Sequence, residues 1–230
     1  MAYTIKDVAK KANVSIATVS RILNNQVGYT EETKRKVLKA IEELGYQPNA
    51  VARGLINKRT HTIGLLVPKL TSTFVTELLR GIEKVAHKAG SNVIVCHTET
   101  RGIKMMKYLQ MLNEKRIDGL IFTSEVLKEE YYLYVKKMGI PMVLLSTQSD
   151  EYPVPYVKVN DRDAAYTATK YLIEKGHKEI GMLCGNKADL IAGIPRIKGF
   201  KDALNDHNIP VNENHIIFSD EFFFKMGLKA

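Results

Sequence analysis

Apolar residues in the first 45 positions recur with helical spacing. Ile5, Val8, Ala9 and Ala12 share one face of a short helix opened by Thr4, and Asp7 stands at capping-box distance from Thr4. Asn13-Val14 breaks the pattern, and asparagine tolerates the left-handed backbone of a tight turn. Ser15 caps a second helix running to about Leu23, with Val19, Ile22 and Leu23 inward. A loop from Asn24 to Gly28 follows. Thr30 caps a third helix with Glu31 and Glu32 at its positive end. Val37, Leu38, Ile41 and Leu44 form its apolar stripe, and Gly45 stops it.

From residue 61 the rhythm changes to short apolar runs alternating with helical stretches. Strands are expected at Thr62 to Pro68, Asn92 to His97, Asp118 to Phe122, Ile140 to Leu145, Tyr156 to Val159, Ile180 to Cys184 and Ile216 to Phe218. Helices fall between them, including Asp161 to Lys175 and Gly193 to His207. Nearly continuous apolar strands between helices predict parallel sheets with helices on both faces. Residues 46–60 fit neither pattern and read as a linker with weak helical character around Asn49 to Asn57.

Charge sharpens this division. The 230 residues carry a net charge of +9. Residues 1–60 hold 11 basic and 5 acidic side chains, whereas residues 61–230 hold 23 and 20. A basic head on a nearly balanced body suits a polyanion-binding module joined to a second domain, or else a merely solvated basic face. No apolar run reaches the ~20 residues needed to span a bilayer, so no membrane role is expected. The N-terminal MAYTIKDVAK has charged residues where a secretion signal is apolar. Two cysteines make no disulfide framework, and a reducing, cytoplasmic setting is expected. Cys96 and Cys184 lie in apolar strands and read as core; Phe222-Phe223-Phe224 reads as core or a lobe contact.

Two short helices meeting at a tight turn fit a helix-turn-helix, whose second helix enters the major groove N-terminus first. A small helical bundle with a polar surface is the alternative. Ile16 and Ala17 then sit at the groove floor, where apolar groups read thymine methyls, and Arg21 reaches a guanine or a phosphate. Thr4, Ser15, Thr18, Ser20 and Asn24 are candidates for backbone contacts. Enzymatic chemistry has little support. The chain has no P-loop, no G-x-G-x-x-G and no C-x-x-C, and its six histidines show no ligand spacing. No cofactor, metal site or catalytic residue is assigned.

The segments TIKDVAKKANVSIATVSRILNN and TKRKVLKAIEELGYQPNAVARGL closely resemble the LacI/GalR family of bacterial transcription repressors. The likeness continues through IGLLVP, RIDGLIF, GIPMVLL, YLIEKGHKEIGML and RIKGF, and so covers the whole chain. Asn13 stands where the family commonly has glycine. The resemblance implies a three-helix DNA-binding domain over residues 1–47 and a hinge over 48–60. It implies an α/β effector domain of periplasmic-binding-protein type beyond, with a first lobe at 61–160 and a partial second lobe at 161–230. The family chain normally continues past this end, so the second lobe is expected to be incomplete.

The resemblance also implies a homodimer on a double-stranded, pseudo-palindromic operator, controlled by a small sugar-like effector. In the hinge it points to Asn49, Ala52 and Arg53 against backbone and groove, and to Leu55 as an apolar wedge. A core leucine is the alternative for Leu55. Implied effector contacts are Leu70, Ser72 and Phe74 after the first strand, Ser146 after the fourth, then Asp161, Asp189 and Arg196. Asp161 reads equally as a helix N-cap, and Asp189 or Asp202 could pair with Arg196. A stand-alone sugar-binding protein and an α/β enzyme with a DNA-targeting module are the other readings weighed. The basic head opposes the first, and the absence of a catalytic constellation opposes the second.

Overall fold

The computed structural model describes residues 3–24, 26–46, 59–68, 73–99, 102–123 and 125–219. The expected roles of Asn49, Ala52, Arg53, Leu55, Leu70, Ser72 and Phe222 to Phe224 fall outside these residues. The chain divides into two compact units, residues 1–60 and 61–230.

The first unit holds three helices: α1 (Ile5–Ala12), α2 (Ile16–Leu23) and α3 (Glu31–Leu44). Val8, Ala9, Ala12, Val19, Ile22, Val37 and Ala40 make its core. Seven small side chains bury little area, so the ends of the helices matter. Asp7 accepts from the Thr4 N–H at 2.8 Å and from its hydroxyl at 2.7 Å. Asn13 ends α1 at φ 53°, and Gly45 ends α3 at φ 59°. The Ser15 hydroxyl accepts from the Thr18 N–H, and that of Thr30 from the Thr33 N–H. Lys11 and Glu43 tie α1 to α3 at 2.7 Å. Leu38 departs from expectation: it is 48% exposed, and Ala40 is buried instead. One step along a helix turns a side chain by ~100°, which carries Leu38 off the face shared by Val37, Ala40, Ile41 and Leu44.

The second unit has two parallel sheets. The larger contains β1 (Thr62–Val67), β2 (Asn92–His97), β3 (Gly119–Thr123), β4 (Met142–Leu145) and β5 (Tyr156–Val157), in the order β2-β1-β3-β4-β5. The intervening helices are α4 (Thr73–Lys88), α5 (Met105–Glu114) and α6 (Glu129–Met138). They cover both faces. Val75 of α4 packs with Leu65 and Val67, whereas Leu109, Leu112, Tyr131 and Val135 pack with Leu66, Leu120, Phe122 and Leu144. Gly64 in β1 lets this second layer approach, since a Cβ there would meet Ile117 Cδ1 at 2.8 Å. The smaller sheet pairs β6 (Met182–Cys184) with β7 (Ile216–Phe218). It packs against α7 (Asp161–Glu174) and α8 (Gly193–Asp206) through Phe200, Leu204 and Ile173.

Several strands are shorter than their apolar runs. Ile180 and Gly181 precede β6, and β5 stops at Val157 because the next side chain, Lys158, turns to Asp161. Both cysteines are buried, and burial pushes the Cys96 thiol up to about 11.

Helices α7 and α8 touch at Gly199, where a Cβ would fall 2.0 Å from the Arg162 carbonyl oxygen. Gly199→Ala should therefore destabilise the second unit by about 3 kcal/mol. Gly81→Ala, inside α4 where a Cβ meets nothing within 4 Å, should stabilise by ~0.5–1 kcal/mol. Equal melting temperatures for the two variants would contradict the close helix contact. In the head, the Thr4 N–H and hydroxyl hold the Asp7 carboxyl below the usual range, and Lys11 does the same for Glu43. Carboxyls lowered on folding contribute stability above the ordinary carboxylate range and lose it as pH falls through the folded value. Protection of the Val19 and Val37 amides, measured against their intrinsic exchange rates, should accordingly fall below about pH 4, and less so in Asp7→Asn.

Candidate DNA-reading helix and ligand cavity

The buried face of α2 is Val19 and Ile22. Its opposite face leaves Ile16 (44% exposed), Ala17 and Arg21 toward solvent. An isoleucine exposed in the first turn of a short helix costs solvation free energy, which a groove contact would recover. The other sequence-predicted DNA contacts sit around this face with local duties. The Ser15 and Thr18 hydroxyls lie 2.9 Å apart. Asn24 ends α2 and its side-chain amide donates to the Ser20 carbonyl at 2.9 Å. The Thr4 hydroxyl donates to Asp7. These caps fix the pitch and entry of α2, and each hydroxyl oxygen keeps a lone pair for further bonds. Sequence reasoning passed over Val27, which is almost fully exposed in the loop after α2.

In the second unit a cavity of about 670 Å³ opens at the C-terminal end of the large sheet. Its wall includes Leu127, Thr147, Tyr156, Lys158, Asp161 and Ile191. Asp161 is the charged centre. Lys158 Nζ lies 2.5 Å from Oδ2, and Arg196 donates from Nε and Nη2 to Oδ1, both at 2.7 Å. The Lys158 and Asp161 side chains are 9% and 6% exposed, and that of Arg196 is 44%.

This arrangement corrects the expected pairings. Arg196 bonds neither Asp189 nor Asp202 but Asp161, 35 positions away. Asp202 binds Arg162 instead, at 2.6 Å. Asp161 is not the N-cap of α7; Asn160 is, accepting from the Asp163 N–H. The Asp189 carboxylate accepts from the N–H groups of Ile191, Ala192 and Gly193, which closes the loop into α8. Asp189 is therefore a turn-forming residue in this conformation and does not line the cavity. Phe74 stands exposed in the first turn of α4, also away from it. Ser146 is half-buried at the end of β4, its N–H bonded to the Val157 carbonyl at 2.8 Å. Of the five expected contacts that lie among the described residues, the structure thus brings together Asp161 and Arg196, with Ser146 beside the cavity wall. Lys158 and Thr147 had been missed. Lys158 is hidden among the apolar residues of Tyr156 to Val159 and Thr147 in a polar loop after an apolar strand, and neither sits in a recognisable motif.

Among the described residues no group of three or more His, Cys, Asp or Glu could hold a metal ion, and no helix is long and apolar enough to cross a membrane. The site of the second unit is hydrogen-bonding and ionic, and the second helix of the first unit presents an apolar and basic face. Together they define a DNA-binding module joined to a ligand-binding α/β domain.

Comparison with known proteins agrees at both ends. A family profile described as bacterial regulatory proteins, lacI family, matches residues 4–49. Another, for periplasmic binding proteins and the sugar binding domain of the LacI family, matches residues 60–222. The transcriptional regulator RegA of Clostridium acetobutylicum is 44% identical over 233 residues, which span 100% of this chain and 68% of that one. The lac repressor dimer bound to operator and an anti-inducer superposes with a TM-score of 0.83 at 26% identity, covering 100% of this chain and 68% of that chain. The regulator CelR in complex with cellobiose gives 0.63 at 26% identity, covering 99% and 68%. The chain belongs to the LacI family of DNA-binding transcriptional regulators.

Asp161→Asn should reveal how far the site depends on this carboxylate. It leaves the buried Lys158 ammonium without its counter-charge, at a cost of roughly 3–5 kcal/mol. Thermal unfolding should show a large loss, and Lys158→Met in the same chain should restore much of it. A drop below 1 kcal/mol would mean that water already solvates the pair.

Proposed function

We propose that this chain is a repressor that binds a two-fold symmetric operator as a homodimer and that a small sugar-like molecule in the Asp161 cavity sets its affinity for DNA. The observation that carries the DNA half is the outward face of α2, where Ile16, Ala17 and Arg21 stand free on a helix fixed by caps at both ends. Ile16 and Ala17 address thymine methyls, and Arg21 a guanine edge. Thr4, Ser15, Thr18, Ser20 and Asn24 set the register on the phosphates. The segment with Asn49, Ala52, Arg53 and Leu55 belongs to the same proposal as the hinge, with Leu55 opening a central base step. Such a regulator works in the cytoplasm, where its operator lies.

The ligand half is supported by hydroxyl and amide groups beside a paired carboxylate, a lining suited to a polyhydroxy compound. The sugar-binding profile over residues 60–222 and the cellobiose complex of CelR point the same way.

Selection of duplexes from a randomised pool at near-physiological salt tests the reading. One two-fold symmetric motif is expected, and enrichment of single, unpaired half-sites would refute the dimer. Arg21→Ala should cost about 1–3 kcal/mol and relax one position per half-site. The affinity should fall with salt, with a log–log slope of about −0.9 per neutralised phosphate.

A further inference from the structure

Between β4 and β5 the chain leaves the sheet and walls the cavity with Thr147, Gln148, Ser149, Asp150 and Glu151. These side chains carry hydroxyl, amide and carboxylate groups, the donors and acceptors that a polyhydroxy ligand meets. Among the described residues, the hydrogen bonds of this loop close on itself. The Ser149 hydroxyl accepts from the Tyr152 N–H at 3.1 Å, and the Gln148 amide reaches Asp150 at 3.4 Å. The Thr147 hydroxyl is buried and has no partner.

The tie to another element is aromatic. Tyr152, at the end of the loop, stacks on Tyr132 of α6, with ring centroids 4.5 Å apart and planes 19° from parallel. Both rings pack against the core cluster that holds Phe122 and Val135. Lys136, one turn along α6, lies 5.8 Å from the Tyr132 ring centroid and adds a cation–π contact. Leu127, two positions before α6, lines the same cavity, so the stack joins two segments of its wall. On the far side the exit is stiff. Pro153 has a fixed φ and disfavours helical backbone at Tyr152, and Val154 is buried in the core. The freedom left to the loop therefore lies before Tyr152, in the residues that wall the cavity.

We propose that Tyr132 and Tyr152 are positioning residues, whose stack tethers the 147–151 loop to α6 and holds the polar wall of the cavity ready for a ligand. Resting on the reading of the cavity as the effector site, this places control of ligand affinity in a residue pair outside it. Neither tyrosine lines the cavity, so each acts through the loop. Ring contact is short-ranged, and the loop is docked when the stack is made and free when it is broken. A free loop must be ordered by the ligand, and the entropy of that ordering is subtracted from the affinity. A docked loop has been ordered by folding.

Tyr132→Ala removes one ring and leaves the sequence of the loop untouched. In the full 230-residue chain under native conditions, cleavage by a glutamate-specific protease is timed by mass spectrometry after Glu151 in the loop and after Glu213 before β7. Tyr132→Ala should raise the rate after Glu151 roughly three- to tenfold and leave the rate after Glu213 unchanged. Tyr132→Phe keeps the ring and should be cut as wild type is. The same chains are titrated with ribose and cellobiose by calorimetry. Tyr132→Ala should bind the sugar about three- to tenfold more weakly, and Tyr132→Phe as wild type does. An unchanged rate after Glu151 overturns the tether. Equal acceleration at both bonds also overturns it, because the fold then loosens as a whole. Faster cleavage after Glu151 alone with unchanged sugar affinity overturns the control of the cavity. If wild type binds neither sugar, the sugar reading of the cavity fails, and the ratio of the two cleavage rates still decides the tether.

Discussion

Asp161 opens α7 with both carboxylate oxygens occupied, one by Lys158 just before it in the chain and the other by Arg196 on α8. A charge taken out of water costs several kcal/mol unless it is paired and hydrogen-bonded. Any packing that separates these groups leaves an uncompensated buried charge, and that penalty selects one arrangement of the exit from β5, the start of α7 and the first turns of α8. The helix end helps, because the N-terminus of α7 favours a negative side chain. Three positions beyond Arg196, Gly199 lets α8 rest directly on the α7 backbone. Arg162–Asp202 and Tyr166–Asp206 continue the same seam. The ionic centre is therefore the first rung of a ladder that aligns two helices, and it supplies register more than raw stability.

The head reaches a defined structure by another route. Its core is a cluster of valines, alanines and one isoleucine, too small to hold three helices by burial alone. Side-chain caps at Thr4, Ser15 and Thr30 and left-handed stops at Asn13 and Gly45 supply the rest. This division of labour frees the outer face of α2. Because Val19 and Ile22 point inward and the caps fix the axis, Ile16, Ala17 and Arg21 need contribute nothing to folding. Residues relieved of structural duty can be chosen for the surface they read.

The parts legible in the sequence were those set by local physics. Capping hydroxyls act on N–H groups three positions away, so Ser15 and Thr30 announced themselves, and Thr4 did so through the carboxylate of Asp7 three positions on. The apolar runs of β1, β2 and β3 are buried on both faces, and a continuous run is what such burial demands. Leu38 misled because a stripe on a short helix can be drawn through either of two adjacent positions, and only the location of the partner helices decides. The pairing of Arg196 was illegible for the opposite reason. Asp161, Asp189 and Asp202 were all plausible by charge, and the choice depends on a contact made across 35 positions. Thr147 gave no signal at all. A threonine after an apolar strand reads as a surface residue, and an unmet hydrogen bond exists only in three dimensions.

The charge state of the cavity constrains how a ligand can act. A site with a free arginine attracts anions wherever the chain is in its cycle. Here Arg196 is bound to a buried carboxylate, so an anion would have to compete with Asp161 for the guanidinium. A neutral ligand faces no such competition and must instead earn its affinity from hydroxyl and amide groups. Those bonds are directional, and a small shift of the wall between β4 and β5 makes or breaks them together. Ionic attraction falls off slowly with distance and would stabilise open and closed states nearly alike. Hydrogen bonds to a shaped wall discriminate between the two, and only that difference can move a conformational equilibrium. By linkage, whatever coupling such a ligand exerts on DNA affinity, operator binding exerts equally on ligand affinity. A cavity whose buried charges, Lys158 and Asp161, are already paired is thus suited to switching, because its remaining binding energy depends on conformation.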